Sequence, residues 1–332
     1  MTILVTGGCG FVGINVAEAL AGIGERAVLF DRNPLPHAAA RDFARLASPP
    51  RAVMGDVRSA AFLSAVFKEF NVECVIHAAA VTADARRESR DPKSIIDVNL
   101  SGTLAVLHAA RSAGCRRIVF VGSGAAYGKT HDEGAALKEG ISASRPEDLY
   151  GISKCAAEQT ALRLGSLWDL DVVCVRLGSV CGPWEFATGV RDLLSPQLQV
   201  ARLAARGQEA LIPAVEFWRD WVYSRDVAAG LVELTRAAAP PAAMYHLSSG
   251  MDWIGSFPQW CEQLRSHFPR FRWRIAGGED VPNVTFVVDR DRSPMDITRI
   301  VHDIGFQPRF GPTAAYKDYV GWIVAHEDFI AN

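Results

Sequence analysis

Residues 2–31 run as a short apolar stretch, glycines at positions 7, 10 and 13, a segment of helical periodicity, a second apolar stretch and then Asp31. Few folds accommodate that order. A strand, a tight glycine turn, an amphipathic helix and a second strand ending on a carboxylate form half of a dinucleotide-binding unit. Gly7 permits the turn, Gly10 lets a diphosphate approach the backbone, and Gly13 lets the helix pack closely on the strand. Unpaired N–H groups and the positive dipole end of the helix then favour phosphate. Asp31 stands where an acid accepts the hydroxyls of an adenosine ribose. A carboxylate there repels a 2′-phosphate, so the expected cofactor is NAD rather than NADP. Phe11 and Val12 at the helix start, and Arg32 beside the carboxylate, complete the contacts expected at this end.

The same alternation continues through the first half of the chain. Apolar runs at 3–6, 27–30, 52–54, 74–78, 118–121 and 172–176 predict strands. Helix-period segments at 60–70, 92–113 and 149–168 lie between them. Strands that are apolar throughout are buried on both faces, which implies a parallel sheet between two helical layers. The expected fold class is therefore α/β, a Rossmann-type doubly wound parallel sheet with a smaller C-terminal substrate-binding lobe. Residues 1–178 are assigned to the NAD-binding domain, with 226–249 returning to it through a helix at 226–237 and a strand at 244–247. The irregular segments 179–225 and 250–332, rich in Pro and Trp, are assigned to the lobe.

Tyr150 and Lys154 are four residues apart at the start of a helical segment, so they share one helix face. An ammonium at that spacing favours the phenolate form of the tyrosine and suits it to take a proton from a substrate hydroxyl. Lys154 is also placed to hold the nicotinamide ribose. Ser123 ends the preceding strand, where its hydroxyl can steady a developing oxyanion. The run from Ser123 to Thr130 nearly spells a phosphate-binding P-loop, but serine replaces its first glycine and a polar loop follows the threonine.

These motifs together resemble the extended short-chain dehydrogenase/reductase family of NAD-dependent epimerases and dehydratases, and the likeness spans nearly the whole chain. It rests on Thr-Gly-Gly-x-Gly-Phe-x-Gly, on Ser123 four residues before the pair Tyr127-Gly128, and on Tyr150-x-x-x-Lys154. The resemblance implies catalytic roles for Ser123, Tyr150 and Lys154. It implies adenine contacts at Asp56 and Val57, diphosphate contacts at Ala78, Ala79 and Ala80, and a structural or relay role for Asn99 beside the cofactor. It also implies substrate contacts at Ser123, Gly124, Ser179 and Arg219, with Arg219 expected either on a substrate phosphate or paired with Asp220. Related enzymes dimerise through the helices at 92–113 and 149–168, so a homodimer is expected.

The family's 4,6-dehydratases carry acidic residues directly after the hydroxyl residue, whereas Gly124 and Ala125 follow Ser123 here. Reversible oxidation of a carbohydrate hydroxyl remains. If the ketone stays bound and is reduced on its other face the result is epimerisation; if it leaves, the protein is a net dehydrogenase of a free sugar, sugar acid or lactone. A non-catalytic NAD-binding protein is a third, remote reading. Ser179 and Cys181 stand where many nucleotide-sugar epimerases have asparagine and tyrosine.

Composition excludes several other classes. A net charge of −2 over 332 residues gives no electrostatic reason to expect nucleic acid or an anionic membrane surface. No apolar run approaches the roughly 18 residues of a membrane span, and a core strand beginning at Thr2 leaves no room for a signal peptide. The seven cysteines contain no Cys-x-x-Cys pair and read as buried thiols of a cytoplasmic protein. Packing is the expected role of Cys9 and of Trp184, Trp218 and Trp221. Local hydrogen bonding is the expected role of His77. No metal site is expected: His131, Asp132 and Glu133 are read as a solvated turn, and Arg290 to Arg292 as surface charges of which one can reach an anionic substrate.

Overall fold

The computed structural model describes residues 1–130, 135–214, 220–286 and 292–331. Its centre is a seven-stranded, wholly parallel sheet. The strands among the described residues are β1 (Thr2–Thr6), β2 (Arg26–Asp31), β3 (Arg51–Met54), β4 (Cys74–His77), β5 (Arg117–Ser123), β6 (Val172–Leu177), β7 (Ser179–Cys181), β8 (Glu209–Ile212), β9 (Trp221–Tyr223), β10 (Met244–Leu247) and β11 (Arg272–Ile275). The sheet order is β10-β6-β5-β4-β1-β2-β3. Chain direction across the sheet reverses between β1 and β4, and a ligand crevice opens beyond the carboxyl ends of strands at such a switch.

Burial explains why the strand runs read as continuously apolar. Every residue of β1 is buried. Ile3 and Val5 face one core while Leu4 faces the other, and β5 divides in the same way between Val119 and Val121 and the pair Ile118 and Phe120. The helices Ala60–Phe70, Gly102–Ala113 and Leu149–Trp168 cover one face of the sheet, and Phe11–Gly22 packs with Ser224–Arg236 on the other. β10 lies at the sheet edge, with Tyr245 opposite Val175 on β6.

The segment 92–113 is helical throughout its length, but Asp97–Ser101 is a π turn between Pro92–Ile96 and Gly102–Ala113. Such bulges concentrate at functional positions, and this one carries Asn99. Past β6, two small parallel pairs form, β7 with β9 and β8 with β11. The helix Pro312–Ala325 packs on the helix Phe257–His267 and is held by aromatic contacts. Trp184 stacks edge-on to Trp322 at 4.9 Å, and Trp260 lies flat on Tyr319 at 5.1 Å. The core under β1 continues without interruption into these residues. Trp184 is fully buried at φ +65°, an unusual conformation for a bulky side chain, and its indole N–H donates to Glu18 at 2.8 Å.

Candidate active site

The turn after β1 has almost no room for side chains. Gly7 sits at φ +68°, and a Cβ there would lie 2.8 Å from the Ala79 nitrogen. A Cβ on Gly13 would lie 2.3 Å from the Gly7 carbonyl oxygen, so the helix packs on the turn itself as well as on the strand. Gly8 is equally constrained, 2.6 Å from the Val5 carbonyl oxygen, although the spacing rule passes over it. A Cβ on Gly10 would lie 3.3 Å from the Gly7 carbonyl oxygen, a tight but less severe approach. Gly10 caps the helix without a side-chain hydrogen bond, and the first turn holds no acidic residue. The helix end therefore offers its N–H groups and positive potential outward.

Asp31, at the end of β2, accepts hydrogen bonds from the Cys9 N–H at 3.2 Å and the Asn33 N–H at 2.9 Å. Burial raises its pKa, and those N–H groups act against the rise. A cavity of about 60 Å³ gathers Gly7, Asp31, Arg32, Asp56, Val57, Ala79 and Ala80. The Asp56 carboxylate is held by Arg58 at 2.6 Å, which lowers its pKa. The Cys9 thiol is pushed up to about 12, first by burial and then by the Asp31 charge, so it is an inert packing group.

Beyond the strand ends, a second cleft of about 210 Å³ is lined by Phe11, Val12, Ala78, Ala80, Ser123, Tyr150, Lys154 and Ser179. Ser123 ends β5, and its Oγ accepts the Ala125 N–H at 3.1 Å, which leaves the hydroxyl hydrogen to donate. Residues 124–127 then form a 3₁₀ turn. Tyr150 is the second residue of the helix Leu149–Trp168, whose start is fixed by the Asp148 side chain accepting from the Gly151 N–H at 2.7 Å. Lys154 is buried; its Nζ donates to the Val121 carbonyl at 2.5 Å and lies 4.4 Å above the Phe120 ring. Burial brings the Lys154 pKa down to about 8.

Polar groups behind the cleft hold it in shape. His77 sits between the Thr6 hydroxyl at 2.6 Å and the Thr103 hydroxyl at 2.9 Å. Burial, with the Lys154 charge second, pushes its pKa down to about 3, so it is a neutral structural group, as its position at a strand end implies. Thr6 also accepts the Ala79 N–H at 3.3 Å and so fixes the 78–80 turn. Neither threonine was legible as a partner, because both contacts are long-range.

Asn99, expected in a structural or relay role beside the cofactor, makes structural hydrogen bonds. Its side chain accepts from the Val81 N–H at 2.7 Å and donates to the Val81 carbonyl at 3.1 Å and to Ser153 Oγ at 2.9 Å. Ser153 in turn donates to the Tyr150 carbonyl at 2.9 Å. Asn99 ties the 78–81 turn to the tyrosine helix and lines neither cavity.

Ser179 lines the cleft, and Gly124 lines the small hollow beside it with Asp220 and Arg292. Arg219 falls outside the described residues, as do Trp218, His131 to Glu133, Arg290 and Asp291. Asp220 is buried, with Ser248 Oγ donating to it at 2.5 Å and the Met295 N–H at 3.0 Å, and burial raises its pKa to about 6. Arg292, read among surface charges, is on the cleft wall. Arg191 also lines the cleft, and its guanidinium is held 2.6 Å from the fully buried Glu185. Trp221 is nearly buried and lines the same wall, consistent with its expected packing role. Among the described residues no cluster of His, Cys, Asp and Glu is arranged to hold a metal ion, and no helix is long and apolar enough to cross a membrane.

A doubly wound sheet, a tight glycine turn with Asp31 at the end of the next strand, and a cleft holding Ser123, Tyr150 and Lys154 together have the form of a dinucleotide-binding protein. Residues 3–246 match the NAD dependent epimerase/dehydratase family, and the chain belongs to it. Its cofactor is NAD, which the tight glycine turn and the cavity holding Asp31 fit. The UDP-glucose 4-epimerase of Lacticaseibacillus casei is 32% identical over 55% of this chain and 52% of its own length. The match thus spans about half of that relative. The sterol demethylase protein B of Methylococcus capsulatus is 30% identical over 83% of this chain and 77% of its own. The crystal structure of UDP-glucose-4-epimerase from Stenotrophomonas maltophila, with NAD and formylated UDP-arabinopyranose, superimposes with a TM-score of 0.83 at 22% identity, covering 99% of both chains. That likeness establishes the fold.

Proposed function

We propose that the protein is a sugar epimerase, oxidising a carbohydrate hydroxyl and reducing the resulting ketone on its other face before release. The observation that carries this reading is the convergence of Ser123, Tyr150 and Lys154 on one cleft that also contains Phe11 and Val12 from the phosphate turn. Gly7, Gly10, Asp31, Arg32, Asp56, Val57 and Ala78 to Ala80 would hold NAD, with Tyr150 and Lys154 at its nicotinamide ribose. The chemistry NAD supplies when bound is reversible hydride acceptance. Tyr150 takes the hydroxyl proton as the carbon is oxidised and gives it back on reduction. Ser123 donates a hydrogen bond to the same oxygen and steadies its developing charge. The Lys154 ammonium, anchored by the Val121 carbonyl, would orient the nicotinamide ribose beside Tyr150. Gly124 and Ala125 put no carboxyl beside Ser123, so the site has no acid there to expel water from a neighbouring carbon.

Net oxidation is the second reading, favoured by Ser179 and Cys181 in place of the polar pair that grips many nucleotide sugars. Incubation of the enzyme with NAD and candidate sugars separates the two. An epimerase yields product without accumulating NADH, whereas a dehydrogenase accumulates NADH in proportion to product. Tyr150→Phe abolishes either activity, a loss of about 10²-fold or more, and leaves NAD affinity within a few-fold; unchanged turnover in that variant refutes the assignment. A cytoplasmic location accords with seven free cysteines, most of them buried. A homodimer through the helices Gly102–Ala113 and Leu149–Trp168 accords with Ile152 and Leu167 exposed on the latter. A monomer in sedimentation at micromolar concentration refutes that assembly.

A further inference from the structure

A short segment past β7, residues 188–192, crosses the crevice where the two site cavities meet. It belongs to the second half of the chain, yet its side chains enter both spaces. Val190 lines the cavity of about 60 Å³ that holds Asp31 and Asp56, and among the described residues it is the one wall group there from beyond Val98. The next residue, Arg191, lines the catalytic cleft, with its guanidinium 5.2 Å from the centre of the Phe11 ring. Ala80 is common to the two spaces. A dinucleotide reaching from Asp31 to Tyr150 spans both and meets this segment midway.

The segment is tied down on both banks of the crevice. On the β2 side, the Asn33 amide donates to the Thr188 carbonyl at 3.3 Å. On the β4 side, the Thr82 N–H donates to the Val190 carbonyl at 2.7 Å, and the Asp192 N–H to the Thr82 carbonyl at 3.1 Å. Arg87 adds the strongest tie. Its guanidinium donates to both carboxylate oxygens of Asp192, at 2.6 and 2.7 Å, and to the Gly189 carbonyl at 2.7 Å. The Asp84 N–H donates to the same carboxylate at 3.2 Å. Both side chains of the ion pair are 16% exposed, and a sheltered bidentate pair of this kind is stronger than a surface one. Arg87 and Asp192 line neither cavity, so the pair acts on the segment and not on a ligand.

We propose that residues 188–192 are a strap that must lift for the dinucleotide to enter or leave, and that the Arg87–Asp192 pair is its latch. The proposal rests on the reading that NAD lies between Asp31 and Tyr150, and not on the choice between epimerase and dehydrogenase. Every latch bond joins two protein groups, so the latch opposes entry and exit alike. Both rates then scale with the fraction of molecules whose strap is open, while their ratio, the dissociation constant, moves little. A group that only added affinity would slow exit and leave entry as it was.

Stopped-flow fluorescence of NADH tests the latch. Mixing with enzyme gives the entry rate, and a chase with excess NAD gives the exit rate. Arg87→Met removes the guanidinium and raises both rates about tenfold, with the dissociation constant held within about threefold. Asp192→Asn keeps the shape and one acceptor oxygen and raises both about threefold, which also serves should Arg87→Met fold poorly. Arg265→Met breaks an exposed ion pair with Glu262 on the helix Phe257–His267 and alters neither rate. Unchanged rates in both latch variants, or a faster exit without a faster entry, overturn the strap alone. A wild-type protein that binds no NADH overturns the cofactor placement and the strap with it.

Discussion

Replacing Lys154 with methionine inactivates the enzyme and makes its stability report the burial of the ammonium. The side chain is 3% exposed, and burial brings its pKa from 10.5 to about 8. At 1.36 kcal/mol per pKa unit, holding this group charged in the folded state costs about 3 kcal/mol at pH 7. The folded pKa lies below the unfolded one, so between those values the folded chain binds fewer protons. Wild-type stability therefore gains from Lys154 as pH rises from 8 towards 10.5. Lys154→Met removes the cost but leaves the Val121 carbonyl, now bonded at 2.5 Å, without its donor, a loss of about 1–3 kcal/mol. The net at pH 7 is a change of about 0–2 kcal/mol in favour of the variant. Its dependence on pH is sharper, because that advantage shrinks by about 2.5 kcal/mol between pH 7 and pH 10. Urea denaturation of both proteins without NAD at the two pH values measures it directly, and other titrating groups cancel in the difference. A variant-minus-wild-type difference that stays constant across that range refutes the buried-charge argument.

Other groups give equally concrete expectations. Gly13→Ala drives a Cβ to 2.3 Å from the Gly7 carbonyl oxygen; it destabilises by about 1–3 kcal/mol and weakens NAD binding, as calorimetry will show. Asp31→Ala removes the acceptor of the Cys9 and Asn33 N–H groups together with the proposed ribose contact, and NAD affinity is expected to fall by about tenfold or more. Asp220 has a pKa raised to about 6, so the folded state holds its proton over a range where the unfolded chain has lost it. Stability therefore falls by about 3 kcal/mol as pH rises from 4 to 6, and Asp220→Asn lacks that component in urea titrations.

The fold was legible in the sequence because a doubly wound sheet writes itself in local terms. Each strand of β1, β2, β4, β5 and β6 is buried on both faces, so each appears as an unbroken apolar run that needs no knowledge of its neighbours. Gly7, Gly13 and Asp31 were legible for a related reason, since a turn without space for a Cβ and a carboxylate at the next strand end form one continuous segment. Tyr150 and Lys154 are one helical turn apart. What failed to show itself was non-local. Thr6 and Thr103 meet through His77 across residues far apart in the chain. The π turn at Asp97–Ser101 is a slip in hydrogen-bond register inside a segment whose side-chain period still reads as helix. The hydrogen bonds that Asn99 makes to Val81 and Ser153 likewise join residues distant in the chain.

The same distinction separates what the chain says of its chemistry from what it says of its substrate. Ser123, Tyr150 and Lys154 hang from the sheet and its covering helix, where packing allows one arrangement and a short motif suffices to reveal it. A further cavity beside the cleft, sharing Trp221 with it, is walled by Gln197, Ile212, Trp253, Trp273, Phe286 and Tyr316, brought together from segments with no common period. Its aromatic residues read individually as core, and Gln197 as an ordinary helix residue. Substrate contacts in this fold therefore depend on tertiary packing, which no short motif in the chain records.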